Sequence, residues 1–520
     1  MKIERTRNAM RNIVFGILLK ACQILIPFLM RTAIIYFMGV QYLGLNSLFT
    51  SILQVLNLAE LGVGSAMVYS MYKPIAEDDS TTICALLNLY RTYYHIIGGI
   101  IAATGLALTP FIPHLIKSDL PAELNVYALY LLNLGATVLS YWLFAYKNSL
   151  FQAHQRNDVT SKITLSITSI QYAIQLFIIV IIKDYYLYVI VALATQALSN
   201  IVTAIIATKM YPLYEPKGNL NKQDVTQITH RIRDLFTSKI GYVVVNSADT
   251  IVISAFLGLT MLAVYQNYYY ILTAIIGFVG IVFGACMAGI GNSIVCETKE
   301  KIFDDFKKFT FMIVWLTGFC TCCFLCLYQP FMEIWVGKDL MLEFSAVIYL
   351  CAYYFIYEIN QLLNTYKDAA GIWHADRFRP LVTAGVNLGL NLITVQFMGI
   401  YGVILSTVLS MLLVGMPWLL HNLFTVLFEH SLLRGYLAYL LRYTAIVGVS
   451  CIACYFVCEC IPICLLWGMF FVRLAFCCII PNTIYFLVFR STPEFKESIR
   501  LLDRMTKNKF KLEKRLVKSS

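Results

Sequence analysis

Apolar stretches of about 20 residues recur along the whole of this 520-residue sequence, and they constrain its fold more than any other feature. About 20 helical residues cross the hydrocarbon core of a bilayer. Only 13% of the residues are charged, whereas soluble domains carry about 25%. The sequence therefore predicts an all-α polytopic membrane protein. Its first apolar stretch is too long for a cleavable signal peptide.

We predict about fourteen transmembrane helices in all, at 13–38, 44–71, 89–112, 122–146, 160–182, 186–208, 236–258, 262–290, 309–332, 344–367, 380–398, 401–426, 437–460 and 465–489. An even number places both termini on one side. With a cytoplasmic N-terminus, 34 of the 40 lysines and arginines fall in cytoplasmic segments, where positive charge concentrates in membrane proteins. The external loops are short, so function must reside in the membrane or at its cytoplasmic face.

Two pairs of segments suggest an internal repeat. Residues 31–53 align with 250–272 at an offset of 219, and 151–162 resemble 368–379 at an offset near 217. Repeated lobes around a central cavity are typical of transporters. We predict an N-lobe (1–208), a cytoplasmic linker (209–235), a C-lobe (236–430), an extra helix pair (431–490) and a basic amphipathic tail (491–520). The tail pattern fits a membrane surface, a partner protein or a disordered segment.

Charged and polar side chains lie inside several predicted spans, where charge is costly. Lys20 and Arg31 share a face of the first span, and acidic residues follow at Glu60, Asp249 and Glu358. Uncharged polar positions are Asn46, Asn57, Tyr242, Asn246, Gln266 and Gln361. We predict that these groups line a hydrated cavity and that Lys20 or Arg31 compensates the charge of Glu60. Interhelical hydrogen bonds, or ion pairs that only set packing, are the alternatives.

Eleven of the 16 cysteines cluster in two apolar regions, Cys320–Cys326 and Cys451–Cys478. Zinc sites are usually found in small polar modules with a hydrogen-bonding outer shell. Because these cysteines are surrounded by Phe, Leu and Ile, we interpret them as small buried hydrophobes. No metal site and no cofactor are predicted.

The segment 39–79 contains "YLGLNSLFTSIL", "AELGVGSA" and "YKPIA". These pieces resemble the start of Wzx-type polysaccharide or O-antigen repeat-unit flippases of the multidrug/oligosaccharidyl-lipid/polysaccharide (MOP) exporter superfamily. The resemblance continues more loosely over the whole chain. It implies a MATE/MOP-like fold with two six-helix lobes plus a C-terminal helix pair.

The resemblance also implies a function without enzymatic chemistry. The substrate would be an undecaprenyl-diphosphate-linked oligosaccharide, moved from the inner to the outer leaflet of the bacterial plasma membrane for capsule, O-antigen or exopolysaccharide assembly. Lys20 and Arg31 would bind the diphosphate. Other expected partners are membrane lipids and polysaccharide-assembly proteins, with no nucleic acid, and the protein would act as a monomer. Coupling through Glu60, Asp249 or Glu358 to protons, sodium or the membrane potential is left open.

Three other functions were weighed against this one. A multidrug or cation efflux antiporter of the same superfamily would favour cavity acids without Lys20 and Arg31. A peptidoglycan lipid-precursor flippase would share the need for cations and would carry more arginine. A polymerase or glycosyltransferase would need a large external loop or a cytoplasmic nucleotide-sugar domain, and this sequence predicts neither.

Overall fold

A computed structural model describes residues 5–117, 124–460 and 466–505. Side chains are described from Leu19 onward within these ranges, apart from a few positions in the longer helices. No strand occurs in the described ranges, so the predicted all-α class is confirmed. The chain forms two compact units, Met1–Gln266 and Asn267–Ser520.

The described part of the first unit contains nine α-helices and the start of a tenth. They are α1 (Arg5–Phe37), α2 (Val40–Leu56), α3 (Val63–Ala76), α4 (Ser80–Leu108), α5 (Val126–Trp142), α6 (Asn148–Ala153), α7 (Asn157–Phe177), α8 (Tyr185–Met210) and α9 (Lys222–Leu257). Helix α1 packs against α7 and α2, and α9 packs against α2 and α3. Helix α10 (Leu259–Cys296) begins in this unit and continues into the second.

Within the residues that the structure describes, the second unit continues from α10 with eight further α-helices. They are α11 (Lys299–Val336), α12 (Phe344–Ala369), α13 (Arg379–Met398), α14 (Ile400–Ser410), α15 (Met416–Val426), α16 (Leu433–Glu459), α17 (Leu466–Phe489) and α18 (Pro493–Met505). A π-helical turn, Met411–Gly415, joins α14 to α15. An aromatic core that includes Phe306, Phe424 and Tyr436 lies among α11, α15 and α16.

Twelve helices in the described part of the chain are long and apolar enough to cross a membrane, or thirteen if one bent pair counts as a span. Each of the fourteen predicted spans falls on helical structure, but two differ from expectation. The span expected at 122–146 is α5, which bends by 51° into the helical segment Ala145–Ala153. The span expected at 236–258 is the end of α9, whose apolar part, Val243–Leu257, is short.

Backbone geometry recurs at the offset that the sequence suggested. Gly39 precedes α2 with φ 121°, and Gly258, 219 residues later, precedes α10 with φ 91°. Only glycine adopts such angles without strain. Asp158, in the first turn of α7, and Asp376, in the loop before α13, recur at a similar spacing, and each is a buried partner of two basic side chains. These pairs support a repeat, while the lobe and linker boundaries stay predictions.

Two predicted non-membrane segments contain more structure than the sequence indicated. The second half of the predicted linker 209–235 is helical, because α9 begins at Lys222. In the tail, Phe495 and Ile499 of α18 are buried, and Phe495 stacks on Trp315 of α11 with ring centroids 5.9 Å apart. The apolar face of this part of the tail therefore packs on the protein itself. Residues 506–520, the rest of the predicted tail, lie outside the described ranges.

Candidate functional site

The second membrane span is broken in its middle. Helix α2 ends at Leu56, a tight 3₁₀ turn covers Asn57–Glu60, and α3 restarts at Val63. Gly62 makes the restart possible because it adopts the left-handed region, with φ 89° and ψ −22°. The predicted span at 44–71 lies within the apolar segment Val40–Ala76, which is long enough to cross a membrane, but it consists of two helices rather than one continuous helix. Irregular backbone at membrane depth is tolerated only where protein or water satisfies its polar groups.

Glu60, the last residue of the 3₁₀ turn, is bound by tyrosine hydroxyls from two other helices. Tyr94 of α4 donates to Glu60 Oε1 over 2.6 Å, and Tyr141 of α5 donates to Oε2 over 2.6 Å. Tyr90 donates in turn to the Tyr94 hydroxyl over 2.7 Å. Such short O–H···O bonds are typical of a charged acceptor. We call this group, Glu60 with Tyr90, Tyr94 and Tyr141, the tyrosine cradle.

The cradle corrects the expected charge compensation. Among the described side chains, the hydrogen-bond partners of Glu60 are neutral hydroxyls, and no Lys or Arg forms an ion pair with it. The sequence reasoning missed Tyr90 and Tyr94, although their i,i+4 spacing places both on one face of α4. Tyr141 carries no comparable local signal. Its partnership with Glu60 joins residues 81 positions apart.

Helix α9 packs directly over the break. A Cβ atom added at Gly62 would lie 2.7 Å from Leu235 Cβ and 3.0 Å from the Ile232 carbonyl oxygen. Arg231, which directly precedes Ile232, stacks on the Tyr69 ring of α3 at 4.8 Å from the ring centroid and donates to Ser70 Oγ over 3.4 Å. The break is therefore held between α9 on one side and the tyrosine cradle on the other.

Lys20 and Arg31 lie on α1, which forms an antiparallel hairpin with α2 through the turn at Met38–Gly39. Residues equally far from the turn lie at about the same depth, so Arg31 is level with Asn46 and Lys20 with Asn57. Lys20 is exposed and Arg31 is half-buried.

The polar face of α2 is accessible along much of its length. Asn46 and Asn57 are half-buried, and Thr50 and Gln54 are exposed. Gln54 was not singled out from the sequence, although it lies one turn from Thr50. In a membrane protein, exposed polar stripes belong to water-filled surfaces more readily than to lipid-facing ones. The first unit therefore offers a polar surface beside the broken span.

The remaining predicted residues of the first unit lie near the α9–α10 turn. Asp249 is buried at 8% exposure, and the Gln266 amide donates to Thr250 Oγ1 over 2.9 Å. This bond gives Gln266 the interhelical role that was the alternative to cavity lining. The side chains of Tyr242 and Asn246 lie outside the described part of the structure.

Glu358 and Gln361 lie on α12 in the second unit. Glu358 is 1% exposed, and its Oε1 has no hydrogen-bond partner among the described residues. Gln361 is half-buried, donates to the Tyr357 hydroxyl over 3.0 Å and accepts from Asn364 over 3.4 Å. A buried carboxyl group without a partner is costly. Glu358 therefore differs sharply from Glu60, although the sequence treated them alike.

Comparison with known proteins identifies the family. The model of the polysaccharide biosynthesis protein family matches residues 9–287, more than half of the chain. The chain belongs to this family. The matched region includes the broken span and the tyrosine cradle. A search of curated proteins found no match.

Solved structures show which fold this family member adopts. A lipid II flippase, MurJ, in an inward closed conformation matches with a TM-score of 0.64 and 14% identity, over 92% of this chain and 99% of its own. An inward-facing multidrug resistance MATE transporter of the MOP superfamily matches with a TM-score of 0.60 and 14% identity, over 78% and 95%. A MATE transporter from Vibrio cholerae matches with 0.53 and 16%, over 82% and 98%.

The family match agrees with the polysaccharide-related family that the resemblance implied, and the structural matches confirm the MATE/MOP-like fold. The protein is a multi-pass membrane protein with the fold of MOP flippases and transporters. The family links the chain to polysaccharide biosynthesis, and the fold is one that flippases and transporters share. The substrate and the direction of transport are taken up next.

Proposed function

We propose that the protein moves an undecaprenyl-diphosphate-linked oligosaccharide from the inner to the outer leaflet of the bacterial plasma membrane by alternating access, for the assembly of capsule, O-antigen or exopolysaccharide. Both termini are cytoplasmic in this proposal. The match of the polysaccharide biosynthesis family to residues 9–287 carries it. The short loops agree, since the described segments between helices contain no room for a catalytic domain.

The diphosphate requires positive charge along its path. Arg31 is the stronger candidate to provide it, because its side chain is half-buried while Lys20 is exposed. A guanidinium binds phosphate oxygens through two parallel hydrogen bonds. Partial burial strengthens that attraction relative to open water. A single arginine also permits release, which a flippase needs as much as binding.

The sugar units require many weak hydrogen-bond partners rather than one strong site. The polar face of α2, with Asn46, Thr50, Gln54 and Asn57, offers donors and acceptors from the depth of Arg31 to the depth of Lys20. The diphosphate and the glycan would then contact neighbouring helices of one hairpin. The break at Asn57–Gly62 ends this polar face and supplies a point where α2 and α3 can change their mutual angle.

The tyrosine cradle has a conformational role in this proposal. Two short bonds from Tyr94 and Tyr141 hold Glu60, and separation of α4 or α5 from the break would have to break one of them. Glu60, Asp249 and Glu358 remain the candidates for coupling to protons or sodium, with the membrane potential as the other energy source.

The second candidate is transport of a different substrate within the superfamily. The likeness to MATE transporters favours multidrug or cation efflux, and the likeness to a lipid II flippase favours a peptidoglycan precursor. Both likenesses rest on about 14% identity, so they concern the fold. The family match and Arg31 favour the lipid-linked oligosaccharide.

A leaflet assay in proteoliposomes tests the proposal. Wild type, Arg31→Ala and Arg31→Lys are compared with Lys117→Ala, an exposed lysine outside the helices, using a fluorescent polyprenyl-diphosphate oligosaccharide. We expect transport by wild type, an approximately tenfold loss in Arg31→Ala, equivalent to about 1.4 kcal/mol, partial recovery in Arg31→Lys, and no change in Lys117→Ala.

Two outcomes would count against parts of the proposal. Transport that survives Arg31→Ala would retain the flippase and remove Arg31 from the diphosphate path. Absence of transport by folded wild type, together with uptake of organic cations by the same vesicles, would establish efflux instead.

A further inference from the structure

Four cysteine side chains converge in the interior of the second unit. The Sγ atoms of Cys322, Cys326, Cys454 and Cys477 all lie within 4.8 Å of one another. All four residues have 0% exposure. The sequence separates them by up to 155 positions, and the interpretation as isolated small hydrophobes did not anticipate their meeting.

Three helices bring the thiols together. Cys322 and Cys326 are four residues apart and share a face of α11, while Cys454 comes from α16 and Cys477 from α17. The Cys454 and Cys477 sulfurs are 3.9 Å apart, and Cys477 Sγ lies 3.9 Å from the Cys322 carbonyl oxygen. Helix α11 thus contributes two sulfur atoms to the cluster, and α16 and α17 contribute one each.

The arrangement matches the size of a tetrahedral thiolate site. A Zn–S bond is about 2.3 Å long, which places the sulfurs of a regular tetrahedron about 3.8 Å apart. A tetrahedron with edges of 4.8 Å would need each sulfur to move inward by only about 0.6 Å. Small side-chain rotations supply such a shift. The sulfurs are too close together to enclose a multi-iron cluster, so a single ion fits best.

A basic side chain borders the cluster and supplies the outer shell that seemed to be missing from the sequence. Arg473 lies one turn before Cys477 on α17, donates towards the Cys326 carbonyl oxygen over 3.5 Å and forms an ion pair with Glu459 at 2.8 Å. Its side chain is 13% exposed. A nearby guanidinium offsets part of the negative charge of bound thiolates, and outer-shell groups orient metal ligands.

We propose that Cys322, Cys326, Cys454 and Cys477 bind one thiophilic d¹⁰ metal ion, Zn²⁺ or Cu(I), which ties α16 and α17 to α11. Soft thiolate ligands select these ions over Mg²⁺ or Ca²⁺. Four protein ligands close the coordination sphere, so the role is structural rather than catalytic. The proposal is independent of the transported substrate, since the ion acts on the stability of the helix pair.

Metal content of the full-length protein tests the proposal. The protein is purified in nanodiscs without added metal, and zinc and copper are measured per chain by mass spectrometry. We expect about one ion per wild-type chain, loss of that ion in Cys454→Ala and Cys477→Ala, and its retention in Cys351→Ala. Cys351 is a matched control because it is buried in the same unit but lies outside the four-thiol group.

A second measurement covers variants that fold poorly. Wild type is stripped with a chelator and reducing agent, and Zn²⁺ or Cu(I) is then titrated back while thermal unfolding and sulfur coordination by X-ray absorption are recorded. We expect one equivalent to restore a lost melting temperature and to show about four sulfur neighbours for Zn²⁺, or fewer for Cu(I). Wild type that purifies without metal, and whose melting temperature does not respond to either ion, would overturn the proposal.

Discussion

The second span of each predicted half begins after the same kind of turn and has nearly the same length, but the two spans differ in their middle. Residues Val40–Ala76 cover 37 residues and Leu259–Cys296 cover 38, and both follow a glycine with positive φ. The first is broken at Asn57–Gly62, whereas the second is one continuous helix. At the offset of 219, the break corresponds to 276–281, which reads IGFVGI.

The difference teaches that a glycine alone does not break a membrane helix. Gly280 sits inside α10, and a Cβ atom added there would meet nothing within 4 Å. Gly62 differs because α9 packs against it and because Glu60 beside it finds hydroxyl donors on α4 and α5. Broken backbone in a membrane needs such partners. The partners, not the local flexibility, distinguish the two spans.

Substitution of the two glycines by alanine gives the largest expected difference. Gly62→Ala places a Cβ against Leu235 Cβ and the Ile232 carbonyl and forces a non-glycine residue to φ 89°. We expect a loss of about 3 kcal/mol or more in the free energy of unfolding. Gly280→Ala, in a helix, is expected to be neutral or stabilising by up to about 1 kcal/mol. Equal melting temperatures for both variants in detergent would contradict this account.

The two aspartates Asp158 and Asp376 give the next largest difference in stability. Asp376→Asn would leave Arg379, whose side chain is 9% exposed, without its carboxylate partner, whereas Lys367 would keep its ion pair with Asp368. We expect a loss of about 3–5 kcal/mol, the usual cost of an uncompensated buried charge. Asp158→Asn is expected to cost about 1–3 kcal/mol, since Arg156 and Lys162 are 27% and 46% exposed and can reach water. Thermal unfolding of both variants measures the order, and a larger loss for Asp158→Asn would reverse it.

The tyrosine cradle predicts a measurable coupling between Glu60 and its donors. In a double-mutant cycle of Glu60→Gln with Tyr141→Phe, we expect a coupling free energy of about 1–3 kcal/mol, as for a hydrogen bond to a charged acceptor. Tyr93→Phe is the matched control, because its hydroxyl contacts Thr229 at 3.2 Å and not the cradle. Additive effects of Glu60→Gln and Tyr141→Phe would show that the contact contributes no stability.

Of the two membrane glutamates, Glu60 and Glu358, the second gives the smallest expected change in stability of all these substitutions. Glu358 has no hydrogen-bond partner for Oε1 in the described structure. Glu358→Met replaces this buried polar side chain with an apolar one of similar volume. We expect the free energy of unfolding to stay constant or to rise by about 1 kcal/mol. Leaflet transport is measured in parallel. A loss of transport without a loss of stability would identify Glu358 as a coupling residue, and a large loss of stability would show that it has a structural partner.

The sequence predicted the helices well because their signal is local. Each of the fourteen expected spans falls on helical structure, since about 20 consecutive apolar residues suffice to mark one. The two that fail the span criterion, α5 and the end of α9, are bent or short. Their departure depends on neighbouring helices. The repeat offset was also readable, because Gly39 and Gly258 mark the same turn.

The site residues were predicted less completely because their partners are remote in the sequence. Glu60 was recognised as unusual, and yet its donors come from 34 and 81 residues away. Helical periodicity predicts that Arg31 and Lys20 share one face of α1, but nothing local revealed that tyrosine hydroxyls would bind Glu60. The cysteines were counted in the sequence, while their convergence depends on how α11, α16 and α17 pack.

By itself, the sequence determined that this chain is a polytopic helical membrane protein, where its helices lie, and to which family it belongs. Hydropathy and short motifs act over tens of residues, so they can be read along the chain. Tertiary structure alone decided that α2 and α3 are separate helices, that tyrosines hold Glu60, that Glu358 is buried without a partner for Oε1 among the described residues, and that four thiols meet. These features arise from contacts between distant helices, whose pairing no local pattern encodes.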